Sequence, residues 1–170
     1  MTEIVHSDGY LEYHMTEDGQ VKLVFVSNNE TNKETVIAEV NMADKIANDF
    51  DFEWPVMMCG DYAVYTDITP TTAESKIFIK NIRTLEEQML VENLFNVYFV
   101  NFDGQRVYYL TSGEDTILHI CAVDIITGTV YDLAVLENSW WDNKLETSFV
   151  DYVDGKIYYY DDGIQCVMVE

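Results

Sequence analysis

Short runs of apolar or alternating residues recur along the whole chain, each closed by a cluster of Gly, Asp, Asn or Thr. Alternation is plainest in Lys76-Ile77-Phe78-Ile79-Lys80, and β-branched and aromatic residues dominate the rest, so the runs predict strands. A Gly-centred turn precedes a Tyr-rich run four times, at Asp8-Gly9-Tyr10, Gly60-Asp61-Tyr62, Asp103-Gly104-Gln105 and Asp154-Gly155-Lys156. The glycines Gly9, Gly60, Gly104 and Gly155 stand 51, 44 and 51 residues apart. Gly supplies the positive φ of a tight hairpin, so each turn joins the run before it to the Tyr run after it. The runs before the turns are Glu3 to His6, Val56 to Cys59, Val97 to Phe102 and Ser148 to Val153.

A third run follows each Tyr strand, at Val21 to Val26, Lys76 to Ile82, Ile117 to Ile125 and Ile164 to Val169. Three of these continue into a fourth, at Thr35 to Val40, Gln88 to Glu92 and Val130 to Leu136. The unit is therefore four short antiparallel strands, present three times, with a last copy of three strands. Two segments compete with an all-β reading. Asn41 to Phe50 spaces Met42, Ile46 and Phe50 as one or two helical turns would, and Thr84-Leu85-Glu86-Glu87 has the form of a capping box. The latter falls where Thr127-Gly128 falls in the next copy and is assigned to a turn between strands.

Four-stranded units of this length, with a Gly-turn-aromatic hairpin and the turn Val123-Asp124-Ile125-Ile126-Thr127-Gly128-Thr129-Val130, resemble β-propeller blades of the TolB-like and quinoprotein-like kind. The likeness covers nearly the whole chain but includes no WD dipeptide, kelch double glycine or sialidase Asp box. It implies one all-β domain, residues 1–170, of four blade-like repeats at about 1–50, 51–94, 95–146 and 147–170, the last incomplete. A two-sheet β-sandwich is the alternative packing. An incomplete last blade leaves three outcomes: a small four-bladed ring, a piece of a longer propeller, or a homodimer through the bare edge at Ile164 to Val169.

Charge narrows the partners. Asp and Glu number 31 against 9 Lys and Arg, a net of −22, which argues against direct binding to nucleic acid or insertion at an anionic membrane. No apolar run is long enough to span a bilayer and the N-terminus is acidic. A soluble, cytoplasmic chain is therefore expected unless a leader or anchor lies outside this sequence. Cys59, Cys121 and Cys166 lie in apolar runs without C-x-x-C spacing and are expected to be buried free thiols.

Chemistry is sparse. His6, His14 and His119 show no paired-ligand spacing, and G-x-S-x-G, the P-loop and G-x-G-x-x-G are all missing. Acid pairs for glycoside hydrolysis arise by chance among so many carboxylates, and two arginines, Arg83 and Arg106, fall short of a sialidase cluster. The Asp-rich turns at Asp151 to Gly155 and Tyr160 to Gly163 lack the alternating calcium loop. No catalytic residue, cofactor or metal is assigned. Trp140-Trp141-Asp142, in the connection before the last copy, is the candidate partner-binding segment, since loop aromatics are enriched in contact hot spots; packing between sheets is the competing use of the two Trp. The expected function is a non-enzymatic module that engages a protein or other ligand through its loops. Two alternatives remain: an acidic mimic of nucleic acid that occupies a basic partner, and a hydrolase on the same frame.

Overall fold

The computed structural model describes residues 4–6, 8–29, 33–41, 55–67, 74–112, 117–140, 150–161 and 163–169. Among these described residues, fourteen strands form antiparallel meanders. The first sheet is β1 (Ile4–His6), β2 (Gly9–Met15), β3 (Gln20–Ser27) and β4 (Glu34–Asn41), in that order. Next come β5 (Val56–Cys59), β6 (Tyr62–Thr66), β7 (Glu74–Asn81) and the long β8 (Glu87–Phe102), followed by β9 (Arg106–Ser112), β10 (Ile117–Asp124) and β11 (Val130–Trp140). The last sheet is β12 (Val150–Val153), β13 (Lys156–Tyr160) and β14 (Ile164–Met168).

The fourth run of the second unit and the first run of the third are one strand. The first half of β8 pairs with β7 and its second half with β9, with Phe95 partnered on both sides. A straight strand of this length would separate Glu87 from Phe102 by roughly 50 Å at ~3.3 Å per residue. Instead β8 bends, with Asn93 at φ 60, and its second half packs beside β5: Phe99 and Phe102 share a core with Met57 and Cys59. Asn tolerates this left-handed conformation better than most residues. β5–β7 with the first half of β8 make the second blade, and the second half of β8 with β9–β11 makes the third.

Among the described residues, three cores lie in series. Leu11, Leu23, Phe25 and Ile37 of the first blade meet Ala63, Tyr65 and Phe78 of the second. Val64, Ile77 and Leu90 of the second meet Val107, Tyr109 and Val123 of the third. Tyr108, Leu110 and Ile120 of the third meet Ile157, Tyr152 and Tyr159 of the fourth. Alternation along one strand is what permits this: in β6, Ala63 and Tyr65 point back while Val64 points forward. Both faces of the inner blades are thus apolar for the same reason, and sheet stacks on sheet in chain order. That packing is β-propeller-like. First strands of successive blades also lie side by side, β1 against β5, β5 against the second half of β8, and that half against β12.

Backbone bonds define the true repeat. Asn28, Ile82, Ile125 and Val169 each donate an N–H to the turn residue Asp8, Asp61, Gln105 or Gly155. The acceptors are therefore 53, 44 and 50 residues apart, and the donors 54, 43 and 44. Gly60, Gly104 and Gly155 do have positive φ, as the turns require. Gly9 does not, and its role differs from the one expected. It sits inside the β2–β3 pairing, where a Cβ would come within 2.1 Å of the Val26 carbonyl oxygen and 2.6 Å of the Phe25 ring. Close approach, not turn conformation, requires glycine there.

Each complete blade carries a bulge at the same place on its fourth strand. Leu23 faces Ala38 while Val24 faces Val36, Ile77 faces Val91 while Phe78 faces Met89, and Ile120 faces Ala134 while Cys121 faces Asp132. The extra residues are Ile37, Leu90 and Leu133, and all three belong to or pack against inter-blade cores. A bulge bends its strand and re-aims one side chain. Here it turns an apolar residue of the rim strand inward.

Candidate functional site: the turn end of the sheets

Hairpins between first and second strands, and turns between third and fourth strands, share one end of the body. Within blades this follows from the meander and from the bonds of Ile82 to Asp61 and Ile125 to Gln105. Between the first two blades it is fixed by Arg83, whose Nη2 donates to Asp8 Oδ2 at 2.7 Å and whose Nε donates to Asp61 Oδ1 at 2.8 Å. Between the second and third, a Cβ on Gly104 would lie 3.7 Å from Cys59 Sγ.

Two of these turns are copies of one another down to their side-chain bonds. Asn81 N–H donates to Glu86 O and Leu85 N–H to Asn81 O; in the next blade Asp124 N–H donates to Thr129 O and Gly128 N–H to Asp124 O. Asn81 Oδ1 accepts the N–H groups of Arg83 and Thr84 at 2.9 and 3.0 Å. Asp124 Oδ1 accepts those of Ile126 and Thr127 at 2.9 and 2.8 Å. The Asx side chain replaces water at the turn's inward amides, which stiffens the loop. The Thr127 amide, helped by the Gln105 side-chain amide at 3.2 Å, holds the Asp124 carboxyl down at about 2. Leu85 at φ 64 stands where Gly128 has φ 68. The segment Thr84 to Glu87 is therefore a strand-joining turn, as its spacing indicated.

What these stiff turns present is apolar. Ile126 is 81% exposed and Leu85 53% exposed, each at the tip of an Asx-held turn. Tyr62, Val130, Tyr131 and Val153 are exposed large apolar residues at strand termini of the same end. The Arg106 guanidinium lies 5.1 Å from the centre of the Tyr131 ring. The end thus combines fixed greasy tips with polar bridges between blades.

One group of residues resembles a catalytic set in composition. His119 Nδ1 lies 3.2 Å from Asp132 Oδ2, Asp132 is opposite Cys121, and Cys121 is opposite Tyr109. Burial, then the Asp132 charge, pushes the Cys121 thiol up to about 12, which favours the neutral thiol over the nucleophilic thiolate. Burial also raises the Tyr109 hydroxyl, which makes no conventional hydrogen bond and sits beside the Cys121 sulfur. Of this group, Tyr109 and Cys121 pack in the core between the second and third blades, and Asp132 is exposed.

The remaining expectations divide as follows. Trp140 is the last residue of β11, its backbone opposite Ile117, whereas Trp141 and Asp142 lie outside the described residues, as do residues 42–50 of the helical alternative. Cys121 is buried and Cys59 half-buried, but Cys166 is exposed, contrary to expectation. Its strand β14 is the free edge of the last sheet, and among the described residues nothing covers its outer face. His14 pairs with Glu12 and lies 3.9 Å from Glu34. Composition does not mark the stiff third-to-fourth strand turns as a site; their signal in the sequence is the match of Asn81-Ile82-Arg83-Thr84 to Asp124-Ile125-Ile126-Thr127.

No protein-family model matches the sequence, and no curated protein does. Solved structures do. An acylaminoacyl peptidase of Pyrococcus horikoshii is similar at a TM-score of 0.61 and 10% identity, over 98% of this chain and 32% of that one. The β-propeller domain of the Trilobed protease of Pyrococcus furiosus, described as having an open velcro topology, matches at 0.45 and 16% identity, over 98% of this chain and 58% of that one. An oligogalacturonate lyase in complex with manganese matches at 0.49 and 13% identity, over 98% and 67%. The chain spans about a third of the first structure and less than two thirds of the second. At these identities the likeness concerns fold alone; the all-β, β-propeller-like body rests on the serial cores described above.

Proposed function

We propose that the chain is a non-enzymatic binding module that docks a protein partner against the turn end of its blades. The observation that supports this reading is the pair of exposed apolar tips, Leu85 and Ile126, each carried on a turn pre-organised by an Asx side chain. An apolar residue on a rigid, solvent-facing loop loses little entropy on binding and gains burial, which is the economy of a hot spot. The frame supplies rigidity through three packed interfaces and through Arg83, which ties the first two blades at that end.

The test is a comparison of partner capture by the native chain, by the double variant Leu85→Asp/Ile126→Asp, and by Met15→Asp, which alters an exposed apolar residue away from these turns. Loss of the captured species with the double variant alone is the expected result. Equal capture by all three would reject the turn end as the docking surface. A salt series separates the second reading, an acidic mimic favoured by the net charge of −22: a mimic loses its partner steeply with salt, and an apolar docking surface does not.

A further inference from the structure

We infer that Lys80 and Arg83 form an ionic latch that seats the first blade on the second, so that charge sets how tightly this one seam closes. Residues 1–41 hold eight Asp and Glu against two Lys, and residues 55–94 hold six against Lys76, Lys80 and Arg83. Two net-negative sheets repel as their apolar faces come together. The second blade offsets this with two of its three cations, both of which reach across the seam. Arg83 Nη2 donates to Asp8 Oδ2 at 2.7 Å while its Nε donates to Asp61 Oδ1 at 2.8 Å. Lys80 Nζ donates to the backbone oxygen of Ile37, the bulge residue of β4, at 2.9 Å.

The two bonds differ in setting. Lys80 is 17% exposed and is held from its own blade by Glu87, 3.4 Å away, whose carboxylate also accepts the Tyr65 hydroxyl. Tyr65 packs in the core of the same seam, with Leu11, Leu23 and Ile37. Arg83 is 59% exposed and takes one carboxylate from each blade. Without its charge Asp8 and Asp61 would face one another well inside the ~10 Å over which exposed charges interact at 0.1 M salt. The second seam is built otherwise. By the shared bonding of Asn81 and Asp124, Val123 stands in the place of Lys80 and Ile126 in the place of Arg83. Val123 is buried in the core of that seam and Ile126 is exposed, and neither has a charge to lend. Both places are thus cationic in the second blade and apolar in the third.

Methyl relaxation dispersion reads the opening of a seam on the μs–ms scale. Leu11, Leu23 and Ile37 line the first seam, and Leu118, Ile120 and Leu136 line the third as controls. In ~10 mM salt, where exposed charges act over roughly 30 Å, Arg83→Gln is expected to raise the open population of the first seam about threefold, the scale of exposed ion pairs. Lys80→Met should raise it about tenfold, because a charged hydrogen bond in a half-dry place is stronger. The third-seam methyls should not respond to either. In ~1 M salt the effect of Arg83→Gln should shrink towards nothing as screening removes the repulsion, while that of Lys80→Met persists. Adding Asp8→Asn to Arg83→Gln should recover most of the loss at low salt, since one of the two facing carboxylates is gone. Should Lys80→Met misfold, Arg83→Gln, an exposed change, decides. First-seam methyls that ignore Arg83→Gln at low salt would overturn the proposal, as would an equal response at the third seam or an effect as large in ~1 M salt as in ~10 mM.

Discussion

The repeated bulge makes a sharp demand on Leu90. In an unbroken β7–β8 ladder a fourth-strand residue between Met89 and Val91 would simply face the other side of the sheet. As the extra residue of a bulge, Leu90 is instead turned into the core between the second and third blades, at 9% exposure, while its neighbour Met89 is 46% exposed. Truncating Leu90 to Ala removes buried carbons from a surface packed by Ile77, Val97 and Phe99. A buried Leu→Ala change costs about 2.7–5 kcal/mol, and a residue with some residual exposure belongs near the lower end, about 3 kcal/mol. For a chain of this size that corresponds to a fall in Tm of roughly 6–12 °C. Met89→Ala, with half its surface already wet, should cost less than about 1 kcal/mol. Ile37→Ala, at the equivalent bulge and 1% exposed, should cost at least as much as Leu90→Ala, and Leu133→Ala, half-buried, less. Urea and thermal unfolding followed by tryptophan fluorescence and far-UV circular dichroism would give all four values. A Leu90→Ala cost below about 1 kcal/mol, or one equalled by Met89→Ala, would refute the claim that the bulge aims its extra residue inward.

Three further outcomes follow from individual sites. Gly128→Leu should destabilise by about 1–2 kcal/mol, because nothing crowds a Cβ there and the penalty is that of a side chain at φ 68; an unchanged urea midpoint would contradict it. Asp124 should titrate near 2, well below an unfolded carboxylate near 3.9, so its contribution is intact above about pH 4 and disappears as pH falls from there towards 2. Asp124→Asn should flatten stability over that window, and carboxyl NMR showing an ordinary midpoint would reject the reasoning. In the native chain a thiol reagent should label Cys166 at once and Cys121 only after unfolding, because one is exposed and the other buried with a raised thiol; prompt labelling of Cys121 would remove it from the interior.

Much of the fold is written in alternation, and one-dimensional pattern is a good reporter of it. The runs at Val21 to Val26 and Lys76 to Ile82 form strands because β-branched residues suit a sheet buried on both faces. Other features depend on what lies opposite, which pattern does not record. Gly9 looks like a turn glycine until the Val26 carbonyl is seen against it. The interval of 51 between Gly9 and Gly60 differs from the bonded interval of 53 for that reason. Leu85 hides its kinship with Gly128, since leucine seldom takes a positive φ. The bulges leave no composition signal because their extra residues, Ile37, Leu90 and Leu133, are ordinary strand formers. At the candidate site Asn81 and Asp124 were readable as turn residues, but the exposure of Leu85 and Ile126 was not, because apolar residues in a β-rich chain are presumed inward until a neighbour is placed.

The uninterrupted passage of β8 from the second blade to the third bears on how such a body could be re-engineered. Fourteen residues separate β4 from β5 and nine separate β11 from β12, whereas no residue lies between the two halves of β8. Grafts, cleavable tags and new chain termini therefore do not belong at the junction between the second and third blades. The central one has no slack: one residue added near Asn93 would slip the register of Phe95 with β7 or with β9, and so invert which side chains meet across the middle core.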